Sequence, residues 1–161
     1  MVFIHRQENY LMEVIRMEKK FIVENKINNF YPVSEEEIQE VEQILNLNIP
    51  RELKKLYSQL GYGFLNKTEY NINRIMDPYS IRDFRLRQND FEFYPDIEIY
   101  DQFEEKKLIF FEANESALIS IELSDREESS IYYYNTIIAT SLREFLIKIQ
   151  ENDNYYVDLL K

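Results

Sequence analysis

IPRELKKLYSQLGYG, Ile49–Gly63, holds both glycines of a 161-residue chain two positions apart, after a segment led by proline. Leu53, Leu56, Tyr57 and Leu60 recur at three- and four-residue steps, the apolar stripe of a helix, while Arg51, Lys54 and Lys55 are left for solvent or for an acidic neighbour. Proline suits the start, because the first helical N–H has no partner to lose, and glycine suits the stop, because it takes up left-handed backbone without strain. The spacing predicts a helix over Pro50–Leu60 ended by Gly61, with Gly61 and Gly63 as the turn that feeds the chain onward. A phosphate-cradling loop is excluded by direction: such glycines precede a helix N-terminus, and these follow a helix.

Toward the N-terminus, Ser34 followed three places later by Glu37 has the spacing of a capping box, and Ile38, Val41, Ile44 and Leu45 supply the buried stripe of a second helix. Earlier still, Tyr10, Leu11, Val14, Ile15, Met17, Phe21 and Ile22 predict a helix over Glu8–Ile27.

Toward the C-terminus the period changes. FEFYPDIEIYDQF, Phe91–Phe103, alternates: Phe91, Phe93, Ile97 and Ile99 fall on one side, and Glu92, Tyr94, Asp96, Glu98 and Tyr100 on the other. This is the two-residue repeat of a half-buried strand, with Pro95 marking an edge or a break. Lys107–Leu123 reads as a hairpin turning at Ala113-Asn114-Glu115-Ser116, where Asn114 is best able to adopt a positive φ. Ser130–Ile137 is β-branched and aromatic and reads as a further strand. Ser141 and Glu144 repeat the capping spacing ahead of Leu142, Phe145, Leu146 and Ile149, a closing helix. The expected fold is α+β, one domain over 1–161: N-terminal helices packed on a mainly antiparallel sheet and closed by a C-terminal helix.

In this order the parts resemble the SUKH superfamily, which includes bacterial immunity proteins and the yeast cell-wall-assembly regulators. The resemblance spans Val33–Ile149. It rests on the acidic capped helix, the LNLNIP joint, the Pro-led helix with its glycine-bearing turn, the segments NRIMDPYSIRDF, LIFFEANESALISIEL and IYYY, and the closing Ser-Leu-x-x-Phe-Leu helix at Ser141–Leu146. One departure is the hairpin turn, which often contains glycine in relatives and has Ala113-Asn114-Glu115-Ser116-Ala117 here. The resemblance implies action by binding, with no cofactor, and two roles stay open: neutralising a bacterial toxin, most often a nuclease, or docking onto intracellular signalling partners as a regulator.

Charge bears on the partner. Thirty acidic against nineteen basic residues give a net charge of −11, which repels phosphate backbones and attracts a basic protein. No apolar run approaches the ~20 residues of a membrane span, and His5, Arg6 and Glu8 interrupt the start before a secretory apolar region forms, so a cytoplasmic protein is expected. The chain has no cysteine, which removes thiolate chemistry and Cys-containing zinc sites. Its single histidine, His5, lies near the terminus, and the pair Asp96 and Glu98 is what chance supplies among thirty carboxylates, so no catalytic or metal residue is assigned.

The candidate partner-binding residues are Glu92, Tyr94, Asp96, Glu98, Tyr100 and Asp101, where carboxylates that pair with Arg or Lys stand beside tyrosines that bury a ring and keep a hydroxyl bonded. Asp125, Glu127 and Glu128 form a second acidic turn. Tyr132, Tyr133 and Tyr134 read as sheet and core residues, with alternation turning Tyr133 away from its neighbours. The run Ser129–Ile138 is a candidate exposed edge at which two copies pair, leaving monomer and homodimer both open.

Overall fold

The computed structural model describes residues 27–67, 71–114 and 117–160. Among them, seven strands form one antiparallel sheet in chain order: β1 (Ile27–Tyr31), β2 (Tyr62–Lys67), β3 (Asn71–Ile75), β4 (Lys107–Asn114), β5 (Leu118–Glu122), β6 (Ile131–Tyr133) and β7 (Thr136–Ala139). Helices α1 (Glu35–Leu45) and α2 (Arg51–Gln59) lie between β1 and β2, and α3 (Pro78–Leu86) between β3 and β4; α4 (Leu142–Glu151) and the short α5 (Tyr155–Asp158) follow β7. The fold is α+β with a C-terminal helix, as expected, but a strand precedes α1 and a helix interrupts the sheet strands in sequence. The helix expected over Glu8–Ile27 lies outside the described residues except for Ile27, which opens β1.

Local chemistry sets the helix ends. The Ser34 hydroxyl accepts from the Glu37 N–H at 3.1 Å, three glutamates occupy the positive first turn of α1, and Asn46 in left-handed backbone stops it. The acidic helix does receive a lysine from α2: Glu42 meets Lys54 at 2.8 Å and also accepts the Ile49 N–H at 2.8 Å, tying the LNLNIP joint to α1. At α4 the Ser141 hydroxyl accepts from Glu144 N–H at 3.0 Å, and the Glu144 carboxylate accepts the Thr140 N–H and hydroxyl, both at 2.7 Å. No sequence expectation covered α3, although Asp77-Pro78 is a cap-and-start pair, and the Asp77 carboxylate does accept the Ser80 N–H.

The glycine pair does more than end a helix. The Gly61 N–H donates to the Leu56 carbonyl, and its φ of +97° lies in the left-handed region. Gly63 already belongs to β2, where it pairs with Phe30 on one side and Ile75 on the other. A Cβ on Gly61 would stand 1.9 Å from the Tyr31 carbonyl oxygen, and one on Gly63 would stand 2.0 Å from that of Asn29. Two glycines are therefore needed because β1 presses its backbone against both.

The core is centred on β4. Opposite it, Ser120 pairs with Ile109 and Ile119 with Phe111, leaving Phe110 as an extra residue, a bulge. The bulge turns both phenylalanines toward α4, where Phe145 meets Phe111 at 5.0 Å and Phe110 at 5.9 Å, edge to face in each case. Leu53, Leu56 and Tyr57 of α2 are buried in the same cluster, and the Tyr57 hydroxyl donates to the Met76 carbonyl.

At the end of the sheet, β6 is paired on both sides, so the edge expected over Ser129–Ile138 is confined to β7. Ile137 is 52% exposed there, but the Ile138 carbonyl is capped by the Tyr155 hydroxyl at 2.8 Å.

Candidate functional site

Phe91–Phe103 is not a strand. Asn89–Phe91 and Ile97–Phe103 are 3-10 helices joined through Pro95, which has no N–H to give a ladder, and Asp96, whose φ is +56°. The buried residues of the second turn, Ile97 and Tyr100, with half-buried Phe103 after them, repeat every three positions, the period of a 3-10 helix.

This changes which candidates face solvent. Tyr100, expected outside, is buried, with 3% of its surface exposed; its ring packs edge to face on Phe84 and stacks on Tyr134 at 5.8 Å. Tyr94 is half-buried against Phe84 and Phe91. Conversely Phe93, expected inside, is 87% exposed, and Ile99 is exposed as well. Glu92, Asp96 and Glu98 are exposed, and none makes an ion pair with another described residue. Asp101 is exposed too, but it is held by Arg87, which sits in left-handed backbone just past α3 and also grips Glu104 at 3.0 Å. The six candidates thus divide into three solvent-facing acids, one acid spent on an internal arginine, and two tyrosines that support the surface from behind.

The tyrosines border a cavity of about 240 Å³ whose wall includes Tyr94, Asp96, Ile99, Tyr100, Tyr133 and Tyr134. Tyr134 has a φ of +52° in the β6–β7 turn, so it leaves the alternation and stands with Tyr133, ring to ring at 4.4 Å. Tyr133 does face away from Tyr132, whose ring lies under the Lys107 ammonium at 4.1 Å, and it packs instead on Tyr156. Burial, followed by the neighbouring Tyr134 hydroxyl, pushes the Tyr100 and Tyr133 hydroxyls well above the usual tyrosine range, so both stay protonated.

Elsewhere the carboxylates do structural work. Glu52 in the first turn of α2 is buried and accepts backbone N–H groups from Ser129 at 2.8 Å, Leu142 at 3.1 Å and Arg143 at 3.4 Å, so one carboxylate joins the loop before β6 to the start of α4. Glu112, raised by burial, meets Arg74 at 3.3 Å, and Arg74 also reaches Asp77 and Ser80. Nothing local marked Glu52 in the sequence, since its partners lie 77 to 91 positions away. The second acidic turn, Asp125, Glu127 and Glu128, is exposed between β5 and β6. Among the described residues no group of three or more His, Asp or Glu side chains is placed to hold a metal ion, and no helix is long and apolar enough to cross a membrane. His5 lies outside the described residues.

Comparison with known proteins places these elements in a family. The family described as SMI1-KNR4 cell-wall (SUKH_6) matches residues 35–146, from the first turn of α1 into α4. Over 144 residues the chain is 65% identical to the immunity protein YxxD of Bacillus subtilis (strain 168), a match covering 89% of this chain and 98% of that relative. No solved structure matches.

Proposed function

The chain belongs to the SUKH superfamily, and on that premise we propose that it is an immunity protein, which binds a cognate bacterial toxin domain in the cytoplasm and blocks it without chemistry of its own. The observation that carries this reading is the 65% identity, over 98% of its length, to a protein named as an immunity protein.

The proposed contact surface is Glu92–Glu98 with Ile99. Exposed Phe93 supplies an apolar anchor, Glu92, Asp96 and Glu98 supply negative charge, and Tyr94 and Tyr100 hold the backbone from within. The toxin that fits is basic, a nuclease being the class in which a positive surface serves to grip phosphates. An inhibitor with net charge −11 is drawn to that surface at long range and then occludes it.

The test is to look for a toxin domain encoded beside this gene and to co-express the two. Rescue of growth and a copurifying complex are the expected results; toxicity that persists with folded immunity protein present overturns the reading for that toxin. The family description, SMI1-KNR4 cell-wall, favours one alternative, an intracellular adaptor, for which copurification recovers a signalling partner and no toxin gene adjoins.

A further inference from the structure

We propose that the tyrosine-walled cavity beside Asp96 receives an arginine side chain of the protein partner. This rests on the immunity reading and adds to it the chemistry of one contact. The cavity, about 240 Å³, lies beside exposed Glu92 and Glu98 in sequence, and its lining brings Tyr94, Tyr100, Tyr133 and Tyr134 together with Asp96. Among the described residues that line it, none is cationic. Asp96 makes no ion pair with another described residue and stands in left-handed backbone at the break between the two 3-10 turns. Asp96 therefore lines the cavity with no cation of the described residues paired to it.

Charge and shape together select the occupant. Aromatic walls with one carboxylate attract a cation, and exposed Glu92 and Glu98 raise the local negative potential. A planar guanidinium is more weakly hydrated than an ammonium, stacks on aromatic rings, and offers a fork of donors to a carboxylate, so arginine is favoured over lysine. An aliphatic side chain would cover the Asp96 carboxylate without compensating its charge. The same chain shows the pairing in miniature: the Arg87 guanidinium lies over the Phe84 ring at 4.8 Å while its nitrogens hold Asp101 and Glu104.

The full chain, isotopically labelled, is titrated with N-acetyl-arginine methylamide and with its lysine and norleucine counterparts, and amide shifts are followed by NMR. Shifts for the arginine probe are expected to concentrate at Asp96–Tyr100, Ala117 and Tyr133–Tyr134, with binding about threefold or more tighter than for the lysine probe and none for norleucine. Asp96→Asn weakens arginine binding by about threefold or more, and Ala117→Leu, which fills the cavity from its wall, abolishes it. The spectrum of each variant reports its folding, and the exposed Asp96→Asn change keeps the test decisive if Ala117→Leu perturbs the fold. Shifts scattered over the acidic surface, or equal response to lysine and arginine, overturn the proposal. Failure here with successful rescue by co-expression removes the cavity contact and leaves the immunity reading standing; arginine binding without rescue does the reverse.

Discussion

Two regions rich in carboxylates use them in opposite ways. Around α1, α2 and α4 three acids are consumed by the fold: Glu42 holds Lys54 and the Ile49 N–H, Glu144 holds Thr140 and Lys148, and Glu52 lies buried among backbone donors from two distant segments. In the 89–103 segment the backbone turns tightly about buried aromatic rings, and Glu92, Asp96 and Glu98 are left facing water. The difference shows that a net charge of −11 says little about where a partner docks, because an acid already matched by N–H groups or a cation presents little field. On the proposed function, recognition would fall to acids that folding leaves unmatched.

The comparison breaks first at Glu52. Glu52→Ala strands buried backbone donors and is expected to cost about 3 kcal/mol, read as a lower urea midpoint with unchanged slope. An unchanged midpoint would mean that this carboxylate is not structural. Gly61→Ala comes next, at roughly 2 kcal/mol, because the new methyl meets the Tyr31 carbonyl. Amide exchange should show the loss concentrated in β1 and β2.

On the other side of the comparison, Asp96→Lys with Glu98→Lys should lower stability by about 1 kcal/mol, mostly the cost of lysine in the left-handed backbone at position 96. The pair should slow association with the toxin by about tenfold at low salt, and by much less at high salt. Asp101→Asn sharpens the contrast: with its charge already matched by Arg87, it should change the association rate less than Asp96→Asn does. Equal effects would place Asp101 in the contact surface after all.

The smallest effect belongs to Glu144. Its bonds to Lys148 and Thr140 hold its carboxyl at about 2, below the usual 4.5, so the stabilisation is complete above about pH 4.5 and is lost as pH falls toward 2. Because the group is near the surface, the gain is below about 1 kcal/mol. Wild type and Glu144→Gln should therefore converge in stability on acidification; a gap that widens in acid would refute the assignment.

Some of this was legible in the chain. Ser34 and Ser141 announced their helices because a cap acts over three residues, and the Lys107–Leu123 hairpin was visible as paired apolar runs. The alternation in Phe91–Phe103 misled because the same residues also carry a three-residue period, Ile97, Tyr100, Phe103. Pro95 and Asp96, at the break between the turns, are where the second pattern prevails. Of the candidate surface, the acids Glu92, Asp96 and Glu98 were placed in solvent correctly, and Tyr100 was not. β1, five residues of INNFY, has too little pattern to declare itself.

Sequence alone determined the capped helices, the glycine joint and the acidic balance, all matters of local spacing and composition. Tertiary structure decided which face of the 89–103 segment is buried, which strand presses on Gly61 and Gly63, and which carboxylates remain unmatched. Those outcomes depend on partners tens of residues away, brought close only when the sheet and its helices close over one core.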